Sequence, residues 1–144
     1  MLKSYKFRLY PNKEQEVLLQ KTFGCVRFVY NQCLAYRIDK YKNENISLSR
    51  FDVNNYKNQV LKKEYSWLKE VDKFALDNAV TNLDFAYQKF FKEHSGYPKF
   101  KSKKNEIQSY RTKFNKTPKG GSIRIEGNHI QLPKLGLVKF AKSR

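Results

Sequence analysis

One strand-like segment stands at the front of this chain with no other strand near it in sequence, and this isolation restricts the fold more than any other feature. Over residues 3 to 10, Tyr5, Phe7 and Leu9 alternate with Lys6 and Arg8, the period of a half-buried strand with a basic outer face. Pro11 ends it, and strand-like patterns return only after residue 95. A lone strand leaves its backbone N–H and C=O groups unpaired. It must therefore pair with the later strands, which makes everything between them an insertion into a small β-domain.

The insertion has helical periodicity. Asn12 with Gln15 forms a capping-box pattern. From about Lys13 to Lys42, Val17, Leu18, Phe23, Val26, Val29, Cys33 and Leu34 recur at helical spacing. Gly24, inside that run, costs about 1 kcal/mol relative to Ala and points to a break or a close helix contact. Asn43 to Ser47 is a polar loop, and Ser49 with Asp52 starts a further helix running to about Lys63. Trp67, Leu68 and Val71 form a short apolar connector. Asp72 is placed to cap a last long helix, on which Leu76, Val80, Leu83, Tyr87 and Phe90 repeat at alternating steps of four and three.

The pattern changes at Ser95-Gly96-Tyr97-Pro98. From Lys99 onward the acids are Glu106 and Glu126 alone. Tyr110, Thr112 and Phe114 alternate with Arg111 and Lys113. After Thr117-Pro118-Lys119-Gly120-Gly121, Ile123 and Ile125 flank Arg124. Gly127-Asn128 is a two-residue hairpin signal leading into Ile130 and Leu132, and Leu135 to Phe140 gives one more strand. The expected fold is α+β: a small antiparallel β-barrel from residues 1–11 plus about 95–144, interrupted by a helical domain over 12–94.

Charge narrows the function. Among 144 residues, 30 Lys and Arg face 13 Asp and Glu, a formal net charge of +17. Such a surface repels itself unless a polyanion shares it, and counterion release makes DNA or RNA the natural partner. No membrane partner is expected. No apolar run approaches the roughly 20 residues of a span, Met1-Leu2-Lys3-Ser4 lacks a signal-type apolar region, and the aromatics are not gathered on one basic amphipathic helix. Cys25 and Cys33, eight residues apart on one helix, lie roughly 12 Å from each other and cannot bridge. They are expected to fill apolar space in a reducing compartment.

Catalysis is not expected of this chain. Metal-dependent nucleases need converging carboxylates, and the acids here are scattered. Asp77 and Asp84, seven apart on one helix face, suit either a metal or, more commonly, salt bridges. There is no CxxC pair, His94 and His129 lie far apart as loop or surface residues, and no glycine loop suits a phosphate. The basic stretches interleaved with aromatics are more informative. Lys99, Lys101, Lys103 and Lys104 surround Phe100 just after Tyr97, while Arg111 and Lys113 alternate with Tyr110 and Phe114. Cations can track phosphates and exposed rings can stack on bases; alternatively, Tyr110 and Phe114 are the core face of a strand.

Several motifs occur in a fixed order: Phe7-Arg8-Leu9-Tyr10-Pro11-Asn12 with Gln15, Gly24-Cys25-Val26-Arg27-Phe28-Val29-Tyr30-Asn31, and Trp67-Leu68. Gly96-Tyr97-Pro98-Lys99-Phe100-Lys101, Ser109-Tyr110-Arg111 and Leu132-Pro133-Lys134-Leu135-Gly136 follow. Over essentially the whole chain this series resembles the TnpB (OrfB) family encoded by bacterial insertion sequences. The resemblance implies a wedge domain of oligonucleotide-binding-barrel type, interrupted after its first strand by a helical recognition domain. It also implies a following RuvC-like nuclease with an acidic divalent-metal site and a zinc ribbon. The chain stops at Lys142-Ser143-Arg144, before either, so no cofactor is expected here and the sequence is expected to be an engineered fragment, a truncated product or part of a longer protein.

The partners that the resemblance implies are a guide RNA derived from the transposon end and double-stranded target DNA, in the cytoplasm at the nucleoid. By alignment, Lys73, Phe74, Asp77, Asn115 and Lys116 fall where the family contacts a short target-adjacent DNA motif. Lys6, Arg8, Lys99, Lys101, Lys103, Lys104, Arg111 and Lys113 are the candidates for RNA and phosphate. Asp77 stands where the family has an amide. A carboxylate accepts from cytosine N4 rather than pairing with adenine, unless Asp77 only binds Lys73, four residues before it. The helix amino terminus at Asp72 would itself favour a nearby phosphate. The rival reading is a stand-alone DNA-binding regulator or transposase accessory protein, and a third is an RNA-binding protein of ribosomal type.

Overall fold

The computed structural model describes residues 3–104, 108–116 and 120–141. Contacts divide the chain into two compact units, one formed by residues 1–20 with 113–144 and the other by residues 21–112.

The first unit is built on a four-stranded antiparallel sheet of order β1-β4-β3-β2, with β1 Leu9–Tyr10, β2 Arg124–Glu126, β3 His129–Leu132 and β4 Gly136–Phe140. As the isolation of the first strand requires, β1 pairs with a late strand, Leu9 opposite Phe140 and Tyr10 opposite Lys139. The Gly127-Asn128 hairpin forms between Glu126 and His129, Gly127 supplying the positive φ of 63° that the tight turn needs. Helix α1, Lys13–Glu44, starts in this unit. Asn12 and Gln15 exchange side-chain-to-backbone hydrogen bonds of 2.9 and 2.8 Å. The Gln15 amide then donates to the carbonyl of Leu137 at 2.7 Å, so one side chain both caps the helix and holds it to β4.

Two expectations fail here. The sheet is open rather than a barrel: β1 and β2 are its two edges, and closure would require them to meet. The leading segment is also not a half-buried strand. Only Leu9 and Tyr10 enter the ladder, and Tyr5 is 68% exposed. Its alternation is real, but the apolar face available to cover it is small, with Leu135, Val138 and Phe140 buried and Phe7 edge-on to Phe140 at 5.2 Å.

The second unit is helical. α1 continues through it and is followed by α2 Arg50–Tyr56, a π-helical turn Lys57–Leu61, α3 Lys62–Glu64, a 3₁₀ turn Ser66–Glu70 and α4 Lys73–Glu93. Ser49 and Asp52 form the expected capping box on α2, and Asp72 caps α4 by accepting from the Phe74 N–H at 3.0 Å. The core takes Cys25, Val29, Cys33 and Leu34 from α1, Val53 and Leu61 from the middle elements, Leu68 and Val71 from the connector, and Leu76, Val80 and Leu83 from α4. Each large aliphatic buried this way contributes about 1.5–3 kcal/mol. Gly24 neither breaks α1 nor meets a neighbouring helix; the nearest atom to a Cβ placed there is the Arg27 guanidinium at 3.8 Å. The strand expected over Tyr110 to Phe114 does not form either. Its two halves fall in different units, and its apolar residues find separate partners. Tyr110 packs edge-on against Phe23 at 5.7 Å, while the Phe114 ring covers Gly121, where a Cβ would lie 2.3 Å from it.

Cys25 and Cys33 are free thiols buried in this core, and burial pushes the Cys33 thiol up to about 12. Since the thiolate is the reactive form, native protein at pH 8 should not react with a thiol reagent at Cys33, whereas urea-unfolded protein should titrate both cysteines. Fast labelling of Cys33 in the native state would show that this core opens locally.

A candidate nucleic-acid interface

The residues proposed to read a DNA motif divide between the units. Lys73, Phe74 and Asp77 lie in the first two turns of α4; Asn115 and Lys116 belong to the sheet unit and are exposed. Lys73 is exposed, with its ammonium 5.1 Å from the centre of the half-buried Phe74 ring. Asp77 keeps 46% of its side chain exposed, and its partner is Lys57 rather than Lys73. Lys57 is fully buried, so the carboxylate at the candidate reading position is the counter-ion of a charge inside the protein. Sequence reasoning missed Lys57, although a signal was present. Val53, Lys57 and Leu61 repeat every four residues, and all three are buried.

The amino end of α4 is a poorer phosphate site than a bare helix terminus. The Asp72 carboxylate, only 3% exposed, already accepts the Phe74 N–H, and a negative group there repels a second one. Phosphate docking at this end would therefore have to rely on Lys73.

The candidate phosphate-tracking residues are mostly free to act. Lys6 and Arg8 are exposed beside β1, and Arg8 sits 6.0 Å from the Tyr10 ring centre. Lys99, Lys103, Lys104, Arg111 and Lys113 are exposed as well. Lys101 is the exception. Asn31 grips its backbone from both sides, accepting from its N–H at 2.7 Å and donating to its carbonyl at 2.9 Å. The Lys101 ammonium lies 4.8 Å from the Tyr30 ring centre. Asn31 thus substitutes for a strand partner and pins the basic segment to α1, while its neighbours Lys99, Lys103 and Lys104 stay solvated.

Asp77 and Asp84 behave as structural charges. Asp77 pairs with Lys57; Asp84 accepts from Arg37 at 3.3 Å and from Gln88 at 2.8 Å. The salt-bridge reading of this helix face therefore holds. Among the described residues, no group of three or more His, Cys, Asp or Glu side chains is placed to hold a metal, and no helix is long and apolar enough to cross a membrane.

A family model described as a helix-turn-helix domain, of OrfB type, matches residues 1–45. In that range the described residues form β1 and the single continuous helix α1 rather than two helices about a turn. An Escherichia coli (strain K12) protein named "Putative RNA-guided DNA endonuclease InsQ" is 30% identical over 147 residues, covering 99% of this chain and 34% of that protein. A Streptomyces pristinaespiralis protein named "Putative RNA-guided DNA endonuclease" is 36% identical over 108 residues, covering 74% of this chain and 27% of its own length. The chain thus spans about a third or less of these two relatives. "Virulence protein VsdF" of Salmonella dublin is 36% identical over 117 residues, 74% of this chain and 98% of its own.

Proposed function

The chain belongs to the TnpB (OrfB) family, and on that premise we propose that it binds nucleic acid, gripping a transposon-derived guide RNA and reading a short motif beside the DNA target. The observation that carries this reading is the set of exposed cations on both units of a +17 chain. Two relatives whose names are those of RNA-guided DNA endonucleases support it. The wedge role falls to the sheet unit and the recognition role to the helical unit. Cleavage, with its divalent metal and zinc, is not assigned to these residues, and the site of action is the cytoplasm at the nucleoid.

A specific role follows for Asp77. Paired with Lys57, its carboxylate carries little net charge toward a phosphate, yet its exposed part can still accept a hydrogen bond from cytosine N4. Changing Asp77 to Gln should alter the preferred flanking base pair by about 1–3 kcal/mol per base contact while leaving guide-RNA affinity nearly unchanged. A binding selection on randomised flanking sequence, run with the chain joined to the remainder of an RNA-guided relative, reads this directly. Including Lys57→Met beside Asp77→Gln avoids stranding the lysine. An identical preferred motif before and after would remove Asp77 from the reading site.

One observation favours a second reading, a stand-alone nucleic-acid-binding protein: the Salmonella dublin relative is matched over 98% of its length. Sequencing the RNA that co-purifies with the chain separates the two. A single structured species from a transposon end supports guide binding, and a heterogeneous pool supports the second reading.

A further inference from the structure

Within the helical unit, α1, the segment after it and the carboxyl end of α4 enclose a cavity of about 350 Å³ that none of the candidate residues above occupies. Its walls include Arg37, Tyr41, Leu48, Tyr87, Phe91 and Tyr97. The volume lies at the small end of the range for ligand sites, about 300–1,000 Å³. We propose that this cavity takes an unstacked nucleobase, a site that rests on the nucleic-acid-binding reading and gives it a definite pocket.

Two features of the wall select a base over other occupants. The first is an array of rings. Tyr87 and Phe91 lie nearly parallel, 25° apart with centres 6.3 Å from each other, and Tyr41 and Phe91 are 62% and 65% exposed. Broad π-faces open to water are costly unless something flat covers them, and every base has such a face. The second feature is Arg37, which lies 4.4 Å from the Tyr87 ring centre and is 9% exposed. One of its terminal nitrogens donates to the Leu48 carbonyl at 2.7 Å and to Asp84 at 3.3 Å. The other, Nη1, is buried without a partner. Arg37 thus places a guanidinium in the cavity wall, an electrostatic partner for the carbonyl and ring-nitrogen acceptors of a base. An apolar side chain from another protein would cover the rings but offer no acceptor to the guanidinium in the wall. The backbone attached to a base would also find cations, since Lys42 and Lys92 directly follow Tyr41 and Phe91 and are exposed.

The test uses the full chain with oligomers of about 12 nucleotides, within the size that one single-strand site spans. Oligo(rA) and oligo(dA) distinguish an RNA source from a single-stranded DNA source. Phe91→Ala and Tyr41→Ala remove exposed rings, so folding is spared, and each should weaken binding by about fivefold or more, the lower edge for a lost base–ring stack. The salt dependence should not change, because no cation is removed. Phe85→Ala, also on α4 but outside the cavity, should bind like the parent. With oligomers lacking bases, the parent and Phe91→Ala should bind equally. If Phe91→Ala and Tyr41→Ala bind both oligomers as the parent does, the base pocket is overturned while nucleic-acid binding stands. If the parent binds neither oligomer, nor duplex DNA, the broader reading falls with it.

Discussion

Replacing Asp77 with Ala should destabilise the helical unit by about 3 kcal/mol, whereas replacing its partner Lys57 with Met should cost less than about 1 kcal/mol. The asymmetry follows from burial. Lys57 is fully enclosed, while Asp77 keeps 46% of its side chain in solvent. Without Asp77, an ammonium is left inside with no counter-charge, the situation in which breaking an ion pair is most damaging. Without Lys57, the carboxylate simply hydrates, and Met, similar in length, fills the space beside Val53 and Leu61. Urea denaturation of the two single variants and of the double variant measures this, through the midpoint at constant slope. The double variant should recover most of the stability lost by Asp77→Ala, since the stranded charge is gone. Equal small losses in both single variants would mean that Lys57 reaches water and that the pair is an ordinary surface contact.

That ion pair also shows where sequence reasoning reaches its limit. Helices α1 and α4 were legible because their apolar residues recur over many turns, and both caps at Asn12 and Asp72 rest on local spacing. The pairing of β1 with a late strand was legible because an isolated strand has no alternative. What could not be read was which alternating segments would reach a ladder. Alternation identifies a face, not a partner, so residues 3–8 and 109–114 match the strand pattern yet lie outside the sheet. Closure into a barrel depends on the same long-range pairing. The buried cations were legible in principle. Cys25, Val29, Cys33 and Arg37 form one stripe on α1, just as Val53, Lys57 and Leu61 form one beyond it. A cation that continues an apolar stripe asks for an internal partner. Distance along the chain conceals which acid answers: Arg37 meets Asp84 and Lys57 meets Asp77, 47 and 20 residues away. Asn31 is a further case, since its two-sided grip on Lys101 has no signature in sequence.

Raising the salt from 50 to 200 mM should weaken binding of duplex DNA by a factor of about 10³ or more. Lys6, Arg8, Lys99, Lys103, Lys104, Arg111, Lys113 and Lys116 are all exposed, a set whose size falls among the 6–10 phosphate contacts for which losses of about 10³–10⁵ are usual over that interval. Each cation engaged with a phosphate releases condensed counterions, so the logarithm of affinity falls linearly with the logarithm of salt, by about 0.9 per contact on B-DNA and about 0.7 on a single strand. The solvated trio at positions 99, 103 and 104 gives the sharper test. Changing all three to Gln keeps length and polarity but removes three charges, and should flatten the slope by about 2 on single-stranded RNA. Lys101→Gln should behave differently. Its ammonium is held near the Tyr30 ring, so the change removes that contact and should lower stability while flattening the slope less than the loss of one of the solvated trio does. A slope that the triple variant leaves intact would reduce the trio to a solvated face, and would shift the phosphate contacts onto Arg111 and the cations of the sheet unit, Lys113 among them.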